Sequence, residues 1–427
     1  MASELARRLA FTLGALLIYR LGCNIPLPGL NAEMLERIFP PNGGGLAWFM
    51  LPTGLRRMAI FALGITPYIS AAVLLQVAGI VLRRLRALQM QGDRGRQTLR
   101  KLTLGLTIVF AALQAYGIAN ALERINGGLS GFSVVENPGW QFLTLATLSM
   151  TGGTIFLAWL SEQITAFGVG NGIALILLAN TVTAIREPIV ETVDLGQRGL
   201  LSSNGVLSSL AVIVLVTGIV VLVERARRCF QIDYAKRQVG DRILESPSSI
   251  LPVKLNPAGI IPAILASWIL SILVLFIGTV AVFNPHWSDL ATTQLAAGRP
   301  AYFVLYGALV FLCTLFYAAY LFSPEDIAAR LQKQGAAIRS IAPGDATVIH
   351  LDDALSRTVL IGAAYLTIIC LMPELLISYA HMQIYVGGLS LLILVCTVLD
   401  LKDQVMGYLA ASRGTRTDPS APQHANS

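Results

Sequence analysis

The chain has 427 residues, of which 55% are hydrophobic and 13% charged, about half the charged share usual in soluble domains. A globule of this size would still need a charged surface, so a mean hydropathy of +0.67 excludes an ordinary soluble enzyme and points to a polytopic membrane protein. The net charge of +7 lies in short segments between apolar runs, as membrane topology requires, and gathers into no nucleic-acid-binding face.

The N-terminal run MASELARRLAFTLGALLIYR has the look of a signal peptide, but no small-residue cleavage site follows and Pro26 and Pro28 close it. That predicts an uncleaved first span. Apolar stretches long enough for a helix across a bilayer core, about 20 residues, are predicted at 9–27, 59–80, 103–121, 141–160, 172–192, 206–223, 257–281, 301–322, 355–374 and 385–403. With the N-terminus inside, 23 of the lysines and arginines fall in inner segments and seven in outer ones, which predicts both termini on the cytoplasmic side. The fold class expected is an all-α polytopic membrane protein of ten spans. An odd number of spans per half would set the two halves of five in inverted orientation. The predicted boundaries are 1–192 for the N-terminal half, 193–405 for the C-terminal half, and 406–427 for a disordered cytosolic tail with little apolar content.

Between the first two spans lies GGGLAWFMLPTGLRRMA (43–59), apolar but too short and too broken by Gly and Pro to cross. At membrane depth such a segment is tolerated only when packed inside protein, which suggests a cavity on the outer side. Three later stretches read as interrupted helix. In GITPYIS (64–70), Pro67 breaks the span and Ile65 and Ile69 stand one turn apart. GVGNGIALIL (168–177) repeats that spacing with Ile173 and Leu177, and AGIIPAI (258–264) sets Pro262 beside Ile264. Spacing alone fits ordinary packing through small residues as well as a conduit closed by an apolar constriction. Two inner segments, 225–254 and 323–354, are long enough to dock a cytosolic partner, although anchoring by positive charge also fits them. The second opens on Ser323-Pro324-Glu325-Asp326, a helix start with Ser323 as cap.

Chemistry is conspicuous by its absence. Arg20 is the one strong candidate for a charge inside a span, while Glu162, Arg186, Glu187, Glu224 and Asp400 lie at or near span ends, where the cost is small. The four histidines lie outside the spans. The cysteines Cys23, Cys229, Cys313, Cys370 and Cys396 are scattered without disulfide or zinc spacing. No catalytic constellation, metal site or cofactor motif is expected.

Several segments together resemble the SecY/Sec61α family of protein-conducting channels. They are GCNIPLPGLNAEML (22–35), IFALGITPYISAAVLLQ (60–76), GVGNGIALI (168–176), DYAKRQ (233–238), LPVKLNPAGIIPAILAS (251–267) and YVGGLSLLILVCTVLD (385–400). The resemblance covers about residues 8–410. It implies a clamshell of two halves around an hourglass channel, with an apolar ring of Ile65, Ile69, Ile173, Leu177, Ile264 and Ile393 at its waist. Segment 43–58 would be the plug. Helices near 60–78 and 257–279 would form a lateral gate, with Thr66, Pro67, Ser70, Gln76, Asn256 and Pro262 along it. Lys236, Arg237, Arg242, Arg339 and Ala342 would belong to the docking surface for the ATPase SecA or the ribosome. SecE and SecG are the implied membrane partners, with a YidC-type insertase, lipid and signal-bearing unfolded polypeptides as further ones. The implied site is a bacterial inner membrane.

Three positions depart from the family pattern. Ala342 stands where the family has an arginine before Pro343-Gly344, with Arg339 three residues earlier. Asp241 replaces a basic residue before Arg242, and Pro52-Thr53 replaces a Gly-Gly pair. A housekeeping and an accessory channel both remain open. Outside the family, the alternative is a small-molecule secondary transporter with inverted repeats, which would need polar or charged liners at the midplane.

Overall fold

The computed structural model describes residues 2–31, 58–128, 135–198, 203–234, 237–239, 242–244, 249–281, 299–321, 323–339, 341–342, 344–380 and 387–417. The predicted plug, apart from Met58, lies outside them. The chain is mostly helical and divides into two compact units, Met1–Leu200 with Ile393–Ser427, and Leu201–Leu392. A helix covers most of each predicted span, and α4, α5, α9 and α11 (bounds below) are by length and composition able to cross a membrane.

The first unit holds α1 (Ala2–Gly22), α2 (Thr66–Val81), α3 (Arg83–Met90), α4 (Asp93–Gly128), α5 (Trp140–Phe167) and α6 (Gly172–Gln197). In α4, Ala111, Ala115 and Ala119 recur every fourth residue and are fully buried against a cluster that includes Phe142, Ala146 and Met150 of α5. Small side chains at one turn's spacing let two such helices approach closely. Pro67 does not interrupt a span: residues 58–65 form turns, and α2 starts at Thr66 with the proline in its first turn. There its missing N–H removes no helical bond. Between α1 and α2, Leu27 N donates to Met58 O (2.9 Å) and Ile60 N to Ile25 O (3.0 Å), a short clip around the Pro26–Ala59 bridge.

The second unit holds α7 (Ser203–Arg225), β1 (Arg227–Tyr234), β2 (Arg237–Val239), β3 (Arg242–Leu244), β4 (Ser249–Lys254), α8 (Ile261–Ala281), α9 (Pro300–Leu321), α10 (Pro324–Lys333), β5 (Ala336–Ile338) and α11 (Asp345–Ala380). The strands correct the all-α expectation. β1 pairs antiparallel with β4 from Arg227–Lys254 to Ile232–Ser249, and with β5 from Ile232–Ile338 to Tyr234–Ala336. The reason is a period of two: Phe230 and Ile232 are buried while Cys229 and Gln231 are exposed. Ile232, Ile338 and Ala336 pack with Leu331 of α10 and Leu351 of α11 in one small core. Ser323 caps α10 as expected, its Oγ accepting from Asp326 N.

The last helix, α12 (Gly388–Thr417), belongs to the first unit from Ile393 onward. It remains helical through 406–417, where composition had suggested a disordered tail; residues 418–427 lie outside the described ones. Leu401 packs into the first unit's core, Gln404 Oε1 accepts from Gly170 N (2.9 Å), and the Tyr408 ring lies 5.7 Å from the Arg8 guanidinium. These contacts supply what the local composition lacks.

Candidate channel wall and docking sheet

Four of the six residues expected at the waist come together. Ile65 is 2% exposed and packs in one cluster with half-buried Ile69, Ile173 and Leu177. Local geometry aligns each pair. Ile69 N donates to Ile65 O (3.2 Å), which fixes them one turn apart at the start of α2. On α6, Asn171 Oδ1 accepts from Ile173 N (3.0 Å) and so caps the helix that carries Ile173 and Leu177. GVGNG is therefore the turn between two helices, not a break within one. Its tightness needs glycine: a Cβ on Gly172 would sit 1.9 Å from Ser161 O, and Gly170 has φ +91°. Thr12 Oγ1 accepts from Val169 N (3.0 Å), Thr165 Oγ1 accepts from Gly172 N (2.9 Å), and Gln404 takes Gly170 N, so three helices hold this turn.

A small cleft opens beside the cluster, walled by Ile65, Thr66, Leu177 and Asn180 together with Tyr19 and Phe61. Ile393 is buried in α12 of the same unit. Ile264 is half-buried in the first turns of α8, in the second unit.

The expected gate residues divide in the same way. On α2, Thr66 is exposed, Pro67 is buried, and Ser70 is buried with its Oγ donating to Thr66 O (2.9 Å). The half-buried Gln76 places Oε1 where it meets no hydrogen-bond donor among the described residues. In the second unit Pro262 is buried in the first turn of α8. Asn256, 2% exposed, donates from Nδ2 to Glu224 Oε1 (2.9 Å) and to Gly259 O (3.2 Å), and accepts from Gly259 N at Oδ1 (3.1 Å). Glu224 is 8% exposed, so it is a buried, bonded carboxyl and not the inexpensive span-end charge expected from its position.

Among the docking residues, Lys236 lies outside the described ones. Arg237 and Arg242 stand in β2 and β3, paired with Leu244 and Val239. Arg339 is engaged within the sheet: Nε and Nη2 donate to the Asp233 carboxylate (3.1 and 3.3 Å) and Nη1 to Gln231 Oε1 (2.7 Å). It therefore ties β5 to β1. Ala342 is exposed, and its carbonyl accepts from Thr347 Oγ1 (2.9 Å) at the start of α11. Arg100 forms a further charged contact with Glu162 through two hydrogen bonds, one of 2.7 Å.

A profile of the SecY family matches residues 59–402. The protein translocase subunit SecY of Escherichia coli strain K12 is 39% identical over 419 residues, covering 96% of this chain and 93% of its own. The chain belongs to the SecY family. Two solved structures share its fold: one described as a protein conducting channel, with TM-score 0.65 and 15% identity, and the Sec61 of a canine ribosome-channel complex from the endoplasmic reticulum, with 0.59 and 14%. Each alignment covers 95% of this chain and 93% of the other. The secondary-transporter alternative finds no support among these SecY relatives. For this SecY-family chain, sequence reasoning missed the sheet and the Glu224–Asn256 contact. The alternation in Arg227–Tyr234 was the available signal for the first; nothing in the local sequence announces the second.

Proposed function

We propose that the chain is the protein-conducting channel subunit of a Sec translocon, passing unfolded secretory polypeptides across the membrane and releasing transmembrane segments sideways into lipid. The observation that carries this reading is the gathering of the four aliphatic side chains Ile65, Ile69, Ile173 and Leu177 into one apolar cluster, in a chain 39% identical to a translocase subunit. An unfolded segment exposes peptide groups that hydrocarbon cannot satisfy, so it needs a wet path. An aliphatic ring, completed by Ile264 and Ile393, can close around any sequence because it offers no hydrogen bond to choose by. A segment of about 20 apolar residues gains by leaving into lipid, between α2 and α8.

Ten spans in two inverted halves, with residues 43–58 as plug, are the architecture this reading requires. Drive comes from outside the chain, from SecA or from elongation at a ribosome docked on the inner segments. SecE, SecG and a YidC-type insertase are the membrane partners, and a bacterial inner membrane with both termini cytoplasmic is the location. The test is a secretory chain arrested midway, with a photocrosslinker at position 69 or 264. Adducts at both positions are expected; adducts only at a probe on the exposed outer face of α7, such as Leu215, would overturn the channel.

A further inference from the structure

We propose that Glu224 and Asn256 are positioning residues that couple the sheet of the second unit to helix α8, so that a displacement of the sheet reaches the first turn of that helix. This rests on the reading of the sheet as a docking surface and of α8 as a gate helix. The strands β1 and β4 are the direct continuations of α7 and towards α8, separated from them by Ala226 and by residues 255–260. Their ladder runs without a gap from Ile232–Ser249 to Arg227–Lys254. Leu255 N donates to Ala226 O (3.0 Å) one step further, and the Asn256–Glu224 bond closes the series at the end of α7. The two helix ends are thus joined by a two-legged stalk whose last fastening is a side-chain bond buried at 2% and 8% exposure.

The turn between stalk and helix is equally fixed. The Asn256 amide bonds both the N–H and the carbonyl of Gly259, which sits at φ +66°, and α8 begins two residues later. From α11, Gly362 presses on this turn: a Cβ there would lie 2.9 Å from Leu255 O. A single amide therefore holds the end of α7, the turn and the start of α8 together. β5 adds the other inner segment to the same body through its pairing with β1 and through Arg339. A load on either inner segment reaches one stalk, and the stalk ends at Asn256. A cap that merely satisfied the turn would need only the Gly259 bonds; the bond to Glu224 is the one that spans from α7 to the start of α8.

The test uses the full chain reconstituted with its membrane partners in vesicles, with SecA as the motor. Motor affinity and the translocation rate at saturating motor are measured for Glu224→Ala, Asn256→Ala and Glu224→Gln, the last of which keeps an acceptor for Nδ2. The alanine variants should bind the motor within about twofold of the original but translocate about tenfold more slowly at saturation, the scale of one lost buried hydrogen bond. Glu224→Gln should restore the rate, which also shows that folding is not the cause. Saturated rates equal to the original in both alanine variants overturn the coupling and leave the docking reading standing, as does a Glu224→Gln as slow as Glu224→Ala. If the motor fails to bind the original chain above protein-free vesicles, the docking reading falls and takes the coupling with it.

Discussion

The apolar cluster of the first unit and the sheet of the second are built on opposite principles. Around Ile65, Ile69, Ile173 and Leu177 the packing is apolar, with neighbours such as Leu157, Leu160 and Ile164, and an apolar side chain of similar volume satisfies it. In the sheet and its stalk the contacts are directional: Arg339 to Asp233 and Gln231, and Asn256 to Glu224 and Gly259. A surface that must accept many unrelated polypeptides gains from having no directional preference. Under the proposed docking role, a surface that binds a motor and carries its movement would gain from bonds that fix distances. Substitutions should therefore be forgiven in the first region when volume is kept, and judged in the second by which hydrogen bond survives.

The sharpest break should come at the turn that supports the apolar wall. Gly172→Ala drives a methyl into Ser161 O, a backbone atom that cannot swing aside. It should cost about 3 kcal/mol, the upper range for overpacking, and displace Ile173 with it. Thermal unfolding of the purified chain checks this; a melting temperature within a degree or two of the original would show that the turn has slack. Next comes the wall itself. Ile69→Val should cost about 1 kcal/mol and leave translocation intact, whereas Ile69→Asn puts an unmatched amide into the cluster and should raise the ion leak of vesicles holding the idle channel. Equal leak in the two variants would remove the distinction between shape and directionality on which the comparison stands.

Much of this was legible beforehand, for a physical reason. Hydropathy over twenty residues reports a bulk solvent requirement, and each segment it marked is covered largely by helix. Ile65 with Ile69 and Ile173 with Leu177 were readable because helical periodicity puts fourth neighbours on one face. Breaks were read less well. Pro67 and the GVGNG run both looked like interruptions inside helices, because a composition window cannot tell a helix start from a kink; the Asn171 cap and the first-turn proline show that both are boundaries. The sheet escaped because its strands are three to eight residues long, and β5 pairs with a strand about a hundred positions away. Glu224 escaped for the same reason: the partner that makes its burial tolerable is 32 residues on.

Smaller effects sharpen the second half of the comparison. Arg339→Ala removes three side-chain bonds, but the residue is exposed, so the loss should be about 0.5–1 kcal/mol, as for other surface ion pairs. Its signature would be in coupling: motor affinity should fall less than the saturated rate, because the arginine ties β5 to β1 more than it faces a partner. A fall in affinity alone would make it a docking contact. The smallest expected effect is a gain. Ala342 is exposed and holds Thr347 through its carbonyl, so an arginine side chain would point into solvent without repacking the start of α11. Ala342→Arg should raise the motor-stimulated rate about two- to threefold, the scale of one exposed charge-assisted contact. The original and the variant differ there by a single side chain between β5 and α11, outside the sheet. An unchanged rate would therefore count against a docking role for position 342 and leave the bonded frame of Arg339, Asp233 and Gln231 as the contact the motor reads.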